Sequence, residues 1–291
     1  MILVIGGGIS GLSIASKYNA VVLEEQPAPG GIYSIESISG LEVISAPPFS
    51  TKVCNINELV YEEKDLIIVG KKINYIKKKI CEKCDNLPNY LIPNNKIIIL
   101  KNLKEYLRKL QKNIKIINSY PIKIKQNYII TNRGQIIKFN KLINTGSIRT
   151  LMRLLNIKSR NLGYVSAFVI IILTRKNNKI DWDLYLNGDS SVSFSHIFKL
   201  ENENYNLFYT YSFFDGSKTN IDVKRIFNDL NREGIINNEL IIGYRARFIK
   251  EALLYSGANV PYSLNNIKNC GRLGRWRNIS ICEALMEVQN C

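Results

Sequence analysis

Three glycines at Gly6-x-Gly8-x-x-Gly11 come directly after the apolar run Ile2-Leu3-Val4-Ile5, and they restrict this chain more than any other feature. A strand that ends in such a turn and restarts as a helix uses each glycine differently. The first permits a sharp turn, the second lets a pyrophosphate approach the backbone, and the third packs the helix close against the strand. Residues Ser10 to Tyr18 read as that helix, with its positive end toward phosphate. Ala20 to Leu23 read as the next strand. Glu24 closes it, near the spacing of about 20 residues at which an acid accepts hydrogen bonds from ribose hydroxyls.

A chain of 291 residues suits a nucleotide-binding core with a second lobe wound into it. With 46% hydrophobic and 22% charged residues, general disorder is excluded. The longest apolar run, Val165 to Leu173, is about half of the ~20 residues a membrane helix needs, so a buried strand and no membrane span are expected. Nothing at the start resembles a signal peptide, and a cytoplasmic location is expected. Lys and Arg number 40 against 24 Asp and Glu, a net charge of +16 that attracts anions. Only Lys77-Lys78-Lys79 is dense and no nucleic-acid motif accompanies it. The lysines therefore read as solvated, and nucleic acid is not an expected partner. The single histidine, His196, argues against metal sites and Ser-His-Asp chemistry and reads as a surface or packing residue. Of six cysteines only Cys81 and Cys84 form a Cys-x-x-Cys pair, too few for zinc. Free thiols are the default expectation, with a redox-active Cys81–Cys84 pair as the alternative.

Further along, Lys96 to Leu100 reads as a strand. Asn102 then caps a helix with Leu103, Tyr106, Leu107 and Leu110 on one face and Glu105 placed for a capping box. From about Leu162 to Gly243 long aromatic-rich strands dominate, interrupted by a helix at Val223 to Arg232 that Gly234 stops.

The segment around and beyond Glu24 narrows the choice of dinucleotide. Val21-Val22-Leu23-Glu24-Glu25-Gln26-Pro27-Ala28-Pro29-Gly30-Gly31 resembles the FAD-binding amine oxidase superfamily, in which an acidic strand end leads to a Gly-Gly turn against the cofactor phosphates. Ile32 stands where that family often carries arginine. Lys141-Leu142-Ile143-Asn144-Thr145-Gly146 is similar to the strand by which such folds return to the cofactor domain. Cys270-Gly271-Arg272-Leu273-Gly274-Arg275-Trp276-Arg277-Asn278 resembles the C-terminal segment of members like UDP-galactopyranose mutase and protoporphyrinogen oxidase. Ser280 and Glu283 have capping-box spacing for a last helix.

The resemblance implies an α/β fold: a Rossmann-type, glutathione-reductase-like FAD-binding domain from residues 1–50, 95–150 and 264–291, with a mixed α+β substrate lobe from 51–94 and 151–263. It implies non-covalent FAD held by Gly6, Gly8, Ile9, Ser10, Gly11, Glu24, Glu25, Gly30, Gly31, Ile32, Gly146, Gly271, Arg272, Trp276, Asn278 and Ile279. No second fingerprint for NAD(P)H occurs, so a separate electron donor or acceptor is expected. The function implied is an FAD-dependent oxidoreductase acting on an unidentified small molecule. A mutase-like non-redox flavoenzyme and a flavin-binding protein without catalysis are the alternatives. Alternation over residues 239–248 puts Arg245 and Arg247 on one face, either a clamp for an anionic substrate or a solvated outer face. Tyr255 and Tyr262 are candidate aromatic walls.

Overall fold

The apolar strand Ile2–Ile5 lies at the heart of a six-stranded sheet, paired in parallel with Lys141–Asn144 on one side and Val21–Glu24 on the other. Lys115–Asn118 extends the sheet beyond Val21–Glu24. Ile267–Asn269 and then Ser263–Leu264 extend it beyond Lys141–Asn144, the last pair antiparallel. The beginning, middle and end of the chain thus meet in one sheet. The computed structural model describes residues 1–291 apart from 159–161, 177–179, 203, 217–221, 256–262 and 265.

Leu3 and Val4 are fully buried, and helix Ile9–Tyr18 packs against the sheet and against helices Leu103–Lys112 and Ile281–Glu287. Leu103, Tyr106, Leu107 and Leu110 are the buried face of Leu103–Lys112, as the i, i+3, i+4, i+7 pattern predicts. Each such side chain contributes about 1.5–3 kcal/mol on burial.

A second six-stranded sheet runs Ile241–Tyr255, Gly163–Arg175, Tyr205–Asp215, His196–Glu201, Leu184–Asn187 and Ile68–Lys71, antiparallel except for the last pair. The apolar run of Gly163–Arg175 does not alternate because both its faces are covered. Ala167, Val169, Ile171 and Leu173 face one core with Ile76 and Ile80 of helix Ile76–Cys81. Ile170 and Ile172 face another with Ile226 and Leu230 of helix Val223–Arg232. Burial on two sides removes the polar half of a strand pattern. The molecule is therefore a mixed α/β fold built on a parallel sheet. Smaller antiparallel sheets are formed by Ile35–Ile38 with Leu41–Ile44, by Phe49–Ser50, Lys96–Leu100 and Tyr61–Asp65, and by Pro121–Ile124, Tyr128–Thr131 and Ile136–Lys138.

Two expectations are corrected. The cysteines are not free thiols: Cys54–Cys282, Cys81–Cys84 and Cys270–Cys291 are disulfides. Their Cα atoms lie 4.8, 5.4 and 6.2 Å apart, within the reach of a bridge. The capping box at Asn102 and Glu105 is not formed. The Asn102 amide is engaged elsewhere, accepting from the Val60 N–H at 2.8 Å and donating to the Glu58 carbonyl at 2.9 Å.

Candidate functional site

Gly11 sits where an added Cβ would come 1.9 Å from the Gly6 carbonyl oxygen, so strand and helix close on each other only with glycine there. Gly8 is the opposite case. A Cβ on it would meet nothing within 4 Å, and it points into open space in front of helix Ile9–Tyr18. That helix has no side-chain cap and no acid in its first turn. Its first N–H groups therefore face outward with positive partial charge.

The turn at Gly30 and Gly31 lies over this loop. The Gly30 N–H donates to the Gly7 carbonyl at 2.7 Å, and a Cβ on Gly31 would come 3.1 Å from the Gly8 Cα. Glu24 is buried at the end of its strand, where its carboxylate accepts from the Gly7 N–H at 2.5 Å and the Gln26 N–H at 2.7 Å. Desolvation raises its pKa above the usual carboxylate value against the pull of these hydrogen bonds. Glu25 is exposed beside it. Gly146 begins the turn after Lys141–Asn144, with its N–H on the Ile5 carbonyl at 3.0 Å.

The C-terminal segment closes the site. Gly271 lies against Ser10, whose Oγ would be 2.8 Å from an added Cβ. The Arg272 guanidinium donates to the carbonyls of Glu251 at 2.7 Å and Ala252 at 3.2 Å. Trp276 is buried in the core beneath the parallel sheet. Asn278 clamps strand Ile241–Tyr255, donating to the Leu254 carbonyl at 2.6 Å and accepting its N–H at 3.0 Å. Both residues fasten the segment that presents Arg272 and Ile279. The capping box at Ser280 and Glu283 is formed as expected.

Between these parts lies a cavity of about 90 Å³. Ile32 and Tyr33 wall it beside the Gly-Gly turn, and Arg272, Ile279 and Ser280 wall it from the C-terminal segment. Ala167, Phe198, Tyr211, Phe213 and Ile249 of the second sheet form another wall, and Tyr90 and Leu91 a further one. The wall is mostly apolar. Burial raises the pKa of Tyr33 and Tyr211 and pushes Tyr90 up to about 12, so these phenols stay neutral. The Arg272 charge opposes that shift at Tyr33 and Tyr90. Tyr33, Tyr90, Phe198, Tyr211 and Phe213 are not among the residues the sequence singles out. The every-second-residue placing of Tyr209, Tyr211 and Phe213 is the one signal that marks any of them.

Of the two readings of Arg245 and Arg247, the geometry does not form the anion clamp. Arg245 and Arg247 do share a face, but it faces the hairpin of residues 35–44. Arg245 is exposed and donates to the Ser37 carbonyl at 3.1 Å. Arg247 donates to Ser34 Oγ at 2.8 Å, to Ser45 Oγ and to the Gly31 carbonyl at 3.2 Å. It thus braces the Gly-Gly turn from the second sheet. Tyr255 packs on Gly163, away from the cavity, and Tyr262 lies outside the described residues. His196 is a packing residue: fully buried, 2.9 Å from Ser195 Oγ, edge-on to Phe213, and held neutral by burial that lowers its pKa to about 3.

No family model and no curated sequence matches the chain. Solved structures do. A reduced UDP-galactopyranose mutase superposes with a TM-score of 0.71 at 11% identity, covering 99% of this chain and 92% of that one. An oxidoreductase from Methanosarcina mazei superposes with a TM-score of 0.70 at 13% identity, covering 99% of both chains. A geranylgeranyl bacteriochlorophyll reductase-like protein from Thermoplasma acidophilum does so with a TM-score of 0.55 at 16% identity, over 98% of this chain and 75% of that one. Across nearly its whole length, the chain has the fold these proteins share.

Proposed function

We propose that this chain binds FAD non-covalently and is an oxidoreductase acting on a small molecule in the cavity beside Tyr33, Tyr90 and Arg272. The observation that carries this reading is the open side of Gly8. It lies at an uncapped helix N-terminus, roofed by the Gly30–Gly31 turn, with a buried carboxylate at Glu24. A pyrophosphate needs backbone without side chains and unpaired N–H groups, and an adenosine ribose needs an acceptor; the Gly6–Gly11 loop, Glu24 and the Gly30–Gly31 turn bring these together. Gly146 borders the loop after strand Lys141–Asn144, and Gly271 of the C-terminal segment packs against Ser10 of the helix itself. Bound there, FAD would supply hydride or electron transfer. The chain's own groups orient the substrate and exclude water: apolar Leu91, Phe198, Phe213 and Ile249 dry the cavity, and neutral Tyr33, Tyr90 and Tyr211 line it without charge. Arg272 commits two of its five N–H groups to carbonyls, leaving others for an anionic or carbonyl group.

This reading proposes that residues 1–50, 95–150 and 264–291 form the cofactor domain and 51–94 with 151–263 the substrate lobe. A redox role is preferred to sugar-nucleotide mutase chemistry because the cavity wall is largely apolar and Arg272 is its one cationic lining residue among the described residues. The test is to reconstitute the protein with FAD and screen small molecules for bleaching of the flavin absorbance. Reproducible bleaching by one chemical class supports an oxidoreductase. Stoichiometric FAD binding with no redox reaction, from either oxidised or reduced flavin, would overturn it.

A further inference from the structure

The positive charge is not spread evenly. No Asp or Glu occurs from 106 to 180, a stretch that holds 16 of the 40 Lys and Arg; the other 24 are matched by the 24 acids of the rest of the chain. The whole net charge of +16 therefore resides in one acid-free stretch. Lys112, Lys115, Lys123, Lys125, Arg133 and Lys138 fold together at the end of helix Leu103–Lys112, in strand Lys115–Asn118 and in the three-stranded sheet of residues 121–138, while Arg108 and Lys109 pair with Glu42 and Glu58.

That small sheet has two unlike faces. Ile124, Ile129 and Ile137 pack inward with Phe139. Outward, Lys123, Ile130 and Ile136 stand in register across the three strands, and Tyr128 is paired with Lys138. Ile122 is 53% and Ile136 64% exposed, the latter the most exposed large apolar side chain among the described residues. Tyr120 is exposed at the edge. Lys123, Lys125 and Lys138 have no ion-pair partner among the described residues, in contrast to Lys64, Lys71 and Lys72. A face that keeps isoleucines in water and excludes every carboxylate is costly unless something covers it.

We infer that this outer face docks on the surface of an anionic lipid bilayer. The chemistry selects that partner over nucleic acid. Phosphate backbones would take the lysines but give Ile122 and Ile136 nothing, whereas the headgroup boundary of a bilayer accepts apolar tips, tyrosines and lysines together. Each lysine near an anionic surface strengthens binding roughly fivefold, and salt weakens it. This is peripheral attachment; no helix among the described residues is long and apolar enough to cross a membrane.

The experiment is flotation of the full chain with phosphatidylcholine vesicles with and without phosphatidylglycerol, read by protein recovery and therefore independent of flavin. Wild type should float with anionic vesicles only, and less as salt rises. The double variant Lys123→Glu/Lys138→Glu should bind at least about 25-fold more weakly. Ile122→Ser/Ile136→Ser should also release the protein although its charge is unchanged. Lys77→Glu/Lys78→Glu, an equal charge change elsewhere, should bind nearly as wild type. Thermal melts establish that each variant is folded. The inference is overturned by failure to float with anionic vesicles, by equal loss in the Lys77/Lys78 control, or by a serine variant that still floats. It is also overturned if an oligonucleotide binds more tightly than the vesicles and does so without the two isoleucines.

Discussion

Gly8→Ala separates cofactor binding from folding better than any other substitution. The residue has φ −67° and ψ 176°, a conformation alanine adopts freely, and an added Cβ would touch nothing within 4 Å. In the cofactor-free protein alanine should therefore be neutral or stabilising by about 0.4–1 kcal/mol, since it reduces the freedom of the unfolded chain. The melting temperature should stay or rise by a degree or two, on the order expected for a chain of this size. With FAD the sign reverses. The methyl group would occupy the space through which a pyrophosphate approaches the helix N-terminus, and overfilling a packed contact costs about 1–3 kcal/mol. Affinity should fall about 5- to 150-fold. Calorimetric titration with FAD, alongside melts of both proteins without it, reads both effects. Unchanged FAD affinity in a folded Gly8→Ala protein would refute the reasoning, because the phosphates would then pass elsewhere.

The same geometry has consequences for pH and for redox state. Because burial raises the Glu24 pKa, the folded chain takes up that proton before the unfolded chain does, so this group favours folding as pH falls. The ionised acceptor for ribose is lost over the same window. FAD affinity should therefore decline on acidification, starting above the usual carboxylate range, and this decline should be absent in Glu24→Gln when both are titrated against pH. Cys54→Ser removes a bridge between positions 228 residues apart and should lower stability by about 2–4 kcal/mol in denaturant unfolding under oxidising conditions. Wild type and variant should converge once reductant is added; persistence of the difference would show that the bridge is not what stabilises.

The parts of the fold legible in the sequence are those decided by local pattern. Helices Leu103–Lys112 and Val223–Arg232 are marked by their apolar spacing, and the Ser280 cap by its partner three residues on. The glycine loop Gly6–Gly11 is legible because its glycines have separate steric reasons. What stays hidden depends on distant partners. Asn102 carries a cap signature, yet Val60 and Glu58 compete for its amide. Strand Tyr61–Asp65 is almost all charged or exposed and exists through pairing with Lys96–Leu100. The hairpin at Ser39-Gly40 does carry a local signal, since both residues take positive φ as such turns require. For Arg247, alternation gives the correct face of the strand. Its partners, Gly31, Ser34 and Ser45, lie some two hundred positions away, and alternation cannot name them. The disulfides belong to the same class, except Cys81–Cys84. Such bridges persist mainly in oxidising compartments, or inside some hyperthermophiles, which sets them against the expectation of a reducing cytoplasm.

The central claim is that the loops at Gly6–Gly11, Glu24 and Gly30–Gly31, closed by Gly271 and Arg272, hold FAD. Its most direct test is to incubate the purified chain with FAD, remove free ligand by gel filtration, and record the visible spectrum before and after denaturation. The account predicts one FAD per chain, with a flavin spectrum perturbed by the buried tyrosines. Acid or heat should then release all of it as intact FAD, since among the described residues no free cysteine or accessible histidine is available to link it. A folded protein that emerges colourless after incubation with saturating FAD would contradict the account.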